Sequence, residues 1–167
     1  SGYYMFHPCA PERLARHLPD VRVLAMLRDP VERAWSAYKH ELARGFETES
    51  SFENALALED DRLAGQIERM SADPGYQSFS HRHHAYLRRG QYAEQLRAIN
   101  KFLPTDQIHV IESEAFFTRP EETFAGVLDF LGLPQVMPDR FDRWNGRPSA
   151  PMADETRARL QDHFTSH

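Results

Sequence analysis

"VLAMLRDPVERAWSAYKH" (residues 23–40) begins apolar and ends charged, with Arg28, Asp29 and Pro30 at the change. The apolar part belongs to the longer run "VRVLAML" (21–27), partly β-branched, which predicts a strand covered on both faces as in a parallel sheet. Asp29 suits a helix N-cap, Pro30 the first helical position and Glu32 the third, a capping-box-like order. That helix should run to about Arg44, with Gly45 as its stop. In a parallel α/β sheet, ligands bind at the carboxyl ends of the strands, and Arg28 stands at such an end.

On the helix, at 100° per residue, Arg33, Ser36 and His40 share a face, while Trp35, Tyr38 and Leu42 form a neighbouring packing stripe. A guanidinium fork with a nearby hydroxyl suits a phosphate, and an imidazole one turn beyond can act as a base beside it. The plainer alternative is that Arg28 only pairs with Asp29 or Glu32, with Ser36 idle and His40 solvated.

On either side of this stretch, "APERLARHLP" (10–19) predicts a short helix and "SFENALALEDDRLAGQIERM" (51–70) another. Residues 71–84 are loop-like, 91–103 helical, 107–113 a second strand, and 120–133 an amphipathic helix with a glycine stop. An irregular stretch with several prolines leads to a last helix in "ADETRARLQDHF". Strands alternating with helices give an α/β class with a parallel sheet, yet two strands make a poor sheet.

The 167 residues suffice for one domain, and 41% hydrophobic with 27% charged residues is an ordinary globular mix. Net charge is −5, which argues against a non-specific nucleic-acid binder while leaving room for an anionic ligand at a local arginine cluster. No apolar run reaches the roughly 20 residues of a membrane span, and residues 1–8 lack the pattern of a secretory leader. A single cysteine, Cys9, fits a reducing, cytoplasmic setting. His81 and His84 in "HRHH" are three apart, but no acidic or cysteine partner stands at a telling distance, so no metal site is expected.

"LRDPVERAWSAYKH" closely resembles the 3′-phosphate-binding segment of sulfotransferases that use 3′-phosphoadenosine-5′-phosphosulfate (PAPS) as donor. "YYMFHPCAPERLARHLPDVRVL" before it, the stretch from "YLRRGQY" to "DFLGLP" after it, and "NGRPSAPMADETRARLQDHF" resemble the carbohydrate (heparan-sulfate-like) branch and its bacterial relatives, in the same order. The resemblance implies a P-loop-like three-layer α/β fold and transfer of a sulfonyl group from PAPS to a hydroxyl or amine acceptor, with PAP as product and no metal. It assigns Arg28 and Ser36 to the 3′-phosphate and His40 to catalysis. Gly146 and Arg147 match a basic loop that closes over the cofactor, with Asn145 standing where that loop often has lysine. Tyr86, Gly90 and Tyr92 of "YLRRGQY" also belong to the family pattern, the glycine read as relief of backbone strain and the tyrosines as crevice or packing residues.

The family's first strand and its lysine-containing phosphosulfate loop have no counterpart in this sequence, which contains no Gly-Thr or Gly-Lys-Ser/Thr. The expectation is therefore one domain over 1–167 that is the C-terminal portion of a sulfotransferase domain, inactive by itself. The alternative is a catalytically inactive nucleotide- or substrate-binding fragment of such a domain. A kinase-like nucleotide enzyme is disfavoured by the missing Walker loop and magnesium carboxylate.

Overall fold

The structure, a computed structural model, describes residues 2–142 and 151–165. Two short helices, α1 (Tyr3–Phe6) and α2 (Ala10–His17), lead into β1 (Val23–Leu27) and then α3 (Pro30–Ala43). Next come α4 (Phe52–Ala57), α5 (Glu59–Leu63), α6 (Gln66–Ala72) and α7 (Phe79–His83), followed by a 3-10 turn at Arg88–Gly90 and α8 (Tyr92–Asn100). The remainder is β2 (Ile108–Glu112), α9 (Ser113–Thr118), α10 (Pro120–Leu131) and α11 (Asp154–Thr165).

β1 and β2 pair in parallel from Val23↔Ile108 to Leu27↔Glu112, so the expected α/β class with a short parallel sheet is what the chain forms. The expected cover on both faces is not found. Ala25 and Ile111 are buried, while Met26 is 53% exposed on one face and Val110 44% on the other. Among the described residues neither strand has a second neighbour, so each retains an open edge.

α3 begins as its sequence dictates. The Asp29 carboxylate accepts from the Glu32 N–H at 2.8 Å and Pro30 takes the first position. The helix stops at Gly45, whose φ of 72° suits a residue without Cβ. Its inner face is Val31, Ala34 and Tyr38, which join Phe52, Leu56, Tyr86 and Leu160 in the core. Trp35 packs against this cluster but Leu42, expected beside it, is exposed, because Glu41 takes the inward place in the last turn to meet His83.

The single helix expected over 51–70 is three. Leu58 ends α4, and the chain breaks again where Ala64 turns extended and Gly65 adopts a φ of 68°. The loop expected at 71–84 contains α7, capped by the Ser78 hydroxyl accepting from the His81 N–H. Phe117 is exposed on α9.

Candidate anion site at the end of the first strand

Arg28 leaves β1 at its carboxyl end and sits beside the N-terminus of α3, the positive end of the helix dipole. Its side chain is 47% exposed, and its nearest acid is Glu32 at 3.8 Å, a long contact. Glu32 is held more closely by Arg157 of α11. Two guanidinium groups thus flank one carboxylate, and Arg28 keeps donors to spare for a ligand.

Along the outer stripe of α3, Glu32, Ser36 and His40 follow at intervals of four residues, each about 6 Å further along the axis. Ser36 and His40 are both exposed. Arg44 Nη1 lies 3.4 Å from His40 Nε2 and can only donate, so that nitrogen is the acceptor. Lys39 belongs to the same neighbourhood. Its ammonium lies 4.9 Å from the Trp35 ring centre; burial lowers its pKa, with Glu32 opposing and Arg28 assisting. The sequence reading passed over Lys39, although it lies only 60° from Ser36 on the helix wheel and so could have been found.

Arg33 does not join this stripe, contrary to the wheel. Its guanidinium turns inward and donates to the Tyr86 carbonyl oxygen, and burial lowers its pKa to about 10. A long side chain 60° from the open stripe can reach round the helix, and a buried carbonyl in need of a donor is there to be met.

Beneath the stripe, Glu59 of α5 is buried at 2% exposure and accepts three successive backbone bonds. They come from the N–H groups of Tyr86, Leu87 and Arg88 at 2.8, 2.7 and 2.9 Å. Burial pushes its carboxyl up against the pull of those three donors and of Arg33. Glu47 is the contrasting case. Burial would raise it too, but two bonds from Arg62, the Tyr86 phenol and the Thr48 and Glu49 N–H groups hold it at about 2.

Gly90 has a different reason from the one expected. Its φ is not left-handed; a Cβ there would stand 2.6 Å from the Phe164 ring and 3.2 Å from Pro30. The glycine permits close approach of three segments and relieves no backbone strain.

His81 and His84 take separate partners. His81 stacks on Phe6 at 4.2 Å and its Nδ1 meets the Tyr3 hydroxyl at 3.1 Å; burial, with the nearby His7 and Arg89, lowers it to about 4. His84 Nε2 donates to the Phe46 carbonyl at 2.9 Å. Among the described residues no group of three or more metal-ligating side chains stands together. Gly146 and Arg147 lie outside the described residues.

Residues 5–139 match the sulfotransferase family over most of the chain. The chain belongs to that family. Among individual sulfotransferases, it is 28% identical to heparan sulfate glucosamine 3-O-sulfotransferase 3B1 of Mus musculus, over 87% of this chain and 34% of that protein. It is 25% identical to the bifunctional heparan sulfate N-deacetylase/N-sulfotransferase 2 of Bos taurus, over all of this chain and 20% of that one. A crystal structure of a sulfotransferase from Alicyclobacillus acidocaldarius is 29% identical and superposes with a TM-score of 0.74, covering 98% of this chain and 58% of the other. The chain therefore spans about a third or less of the length of these curated sulfotransferases.

Proposed function

We propose that the protein transfers a sulfonyl group from PAPS to a hydroxyl or amine acceptor, and that residues 28–40 hold the 3′-phosphate end of the donor. The observation that carries this reading is Arg28. It is a half-exposed guanidinium at a strand exit, beside a helix N-terminus, and among the described residues its one acid contact is long and shared with Arg157. A phosphate fits such a group, because two charge-assisted N–H bonds from one planar fork match two of its oxygens. Ser36, exposed two turns along, adds a hydroxyl donor, and Lys39 adds positive charge.

PAPS, when bound, supplies the sulfonyl group and departs as PAP. Arg28 and Ser36 act by orientation: they fix one end of the nucleotide so that the reacting end faces the acceptor. His40, one turn beyond Ser36 and open to solvent, takes the proton that the acceptor hydroxyl or amine gives up. Arg147, with Gly146, would close over the nucleotide as the family pattern implies. The acceptor class we propose is a carbohydrate, on the strength of the heparan sulfate sulfotransferases this chain resembles.

Calorimetry of the intact protein with adenosine 3′,5′-bisphosphate and adenosine 5′-monophosphate tests the reading. Arg28→Ala should weaken the bisphosphate by roughly 10- to 150-fold, the worth of one charged hydrogen bond, and leave the monophosphate within about twofold. Equal loss for both nucleotides would remove Arg28 from the 3′-phosphate.

A further inference from the structure

Glu59 is 31 residues from Arg28, on α5, and belongs to no phosphate-binding pattern. It nevertheless holds the segment that runs on to pack against the first turn of α3. Three consecutive N–H groups converge on one buried carboxylate, which pins residues 86–88 as a unit. Tyr86 is then held from its other side. Its carbonyl accepts from Arg33 of α3, and its phenol donates to Glu47 at 2.9 Å. Glu59 and Arg33 thus form a buried pair of opposite charges that does not touch directly but is relayed through the backbone of one residue, Tyr86.

From this pinned residue the chain runs into the 3-10 turn at Arg88–Gly90, and Gly90 lies flat against Pro30, the first residue of α3. Two residues on, the half-buried Tyr92 phenol meets the Arg28 backbone and lies near the Arg33 guanidinium. The strand exit therefore rests on residues 86–92 at three places: Arg33 on Tyr86, Pro30 on Gly90, and the Arg28 backbone on Tyr92. Arg28 itself has an exposed side chain with no close partner among the described residues, so its backbone is what must be fixed.

We propose that Glu59 is a positioning residue for the anion site, setting the direction of Arg28 through the 86–92 segment without touching the ligand. This rests on the reading of Arg28 as the 3′-phosphate ligand. A neutral amide in its place keeps the shape but offers one acceptor oxygen where the carboxylate offers two, and it cannot hold all three N–H groups. The turn then loosens, and the orientation of Arg28 with it.

The test compares Glu59→Gln with the unaltered protein, titrating each with adenosine 3′,5′-bisphosphate and adenosine 5′-monophosphate. The ratio of the two affinities reads the 3′-phosphate alone, whereas a loss of folded protein lowers the active fraction and leaves the ratio unmoved. The expected result is a ratio that falls by about tenfold, with monophosphate affinity held within about twofold. An unchanged ratio overturns the proposal and leaves Arg28 as the 3′-phosphate ligand. No preference for the bisphosphate in the unaltered protein overturns both. Should Glu59→Gln fail to fold, Tyr92→Phe decides, since it removes one oxygen beneath Arg28 and keeps the ring; the ratio should fall by about threefold, and no change refutes the relay.

Discussion

The two sides of α3 are built on opposite terms. On the inner side, the polar groups around Tyr86 are matched closely: Glu47 with Arg62 and Tyr86, Glu59 with three N–H groups, and Glu41 with His83 at 2.9 Å. On the outer side, Arg28, Ser36 and His40 are exposed and loosely partnered. Buried polar groups must be satisfied for the chain to fold, whereas groups intended for a ligand must be left wanting. The lesson is that one helix carries both, and that the face with the fewest internal bonds is the one to read as the site.

On that division, outer-face changes should alter chemistry at constant stability, and inner-face changes should lower stability, reaching the chemistry only where they hold residues 86–92 in place. The largest effect should come from His40→Ala, with turnover falling on the order of 10²- to 10⁴-fold and nucleotide affinity close to unchanged. Steady-state rates with a carbohydrate acceptor, set beside calorimetry, check it; full turnover would make His40 a surface residue. Glu47→Ala should lower folding stability by about 3 to 5 kcal/mol, because it strands the Arg62 charge and the Tyr86 hydroxyl. Urea unfolding measures this, and a loss below about 1 kcal/mol would mean the inner network is not a matched one. Gly90→Ala should cost about 1 to 3 kcal/mol through overpacking against Phe164 and Pro30, again by urea unfolding. Ser36→Ala, in contrast, should stay within about 0.5 kcal/mol in stability while bisphosphate affinity drops by about three- to tenfold.

The last effect is a pH dependence. His81 is held at about 4 in the fold against an ordinary value of 6.5, so between those values the unfolded chain takes up a proton that the folded chain refuses. The contribution of this residue to stability is intact above about 6.5 and lost as the pH falls toward 4. Melting temperatures across that window should decline in the unaltered protein and decline less in His81→Phe. Glu47, held at about 2 against 4.5, adds a second loss at lower pH, below about 4.5.

Legibility in the sequence followed the same division. β1, the Asp29 cap, Pro30, the Gly45 and Gly132 stops and β2 could all be read, because each is fixed by chemistry within a few residues of itself. Arg28, Ser36 and His40 could be placed on the strand exit and the outer stripe for the same reason, and the exposure of all three agrees. What escaped depends on distant segments. Glu59 reads as one of several acids in "LEDDRL", and only the fold brings residues 86–88 to it. Arg33 looked like a site residue because the wheel gives direction but not reach, and the carbonyl it meets is 53 residues away. The breaks at Leu58 and Gly65 were missed because apolar spacing continued across them.

The contact between Glu32 and Arg157 joins residues 125 positions apart, and Phe164 closes over Gly90 still later in the chain. During synthesis at about 5–20 residues per second, Glu32 waits roughly 6 to 25 s before its partner has even been made. Until then Glu32 lacks one of the two guanidinium groups that flank it in the folded structure. The strand exit is encoded early, and the contacts that complete it come from residues made more than a hundred positions later.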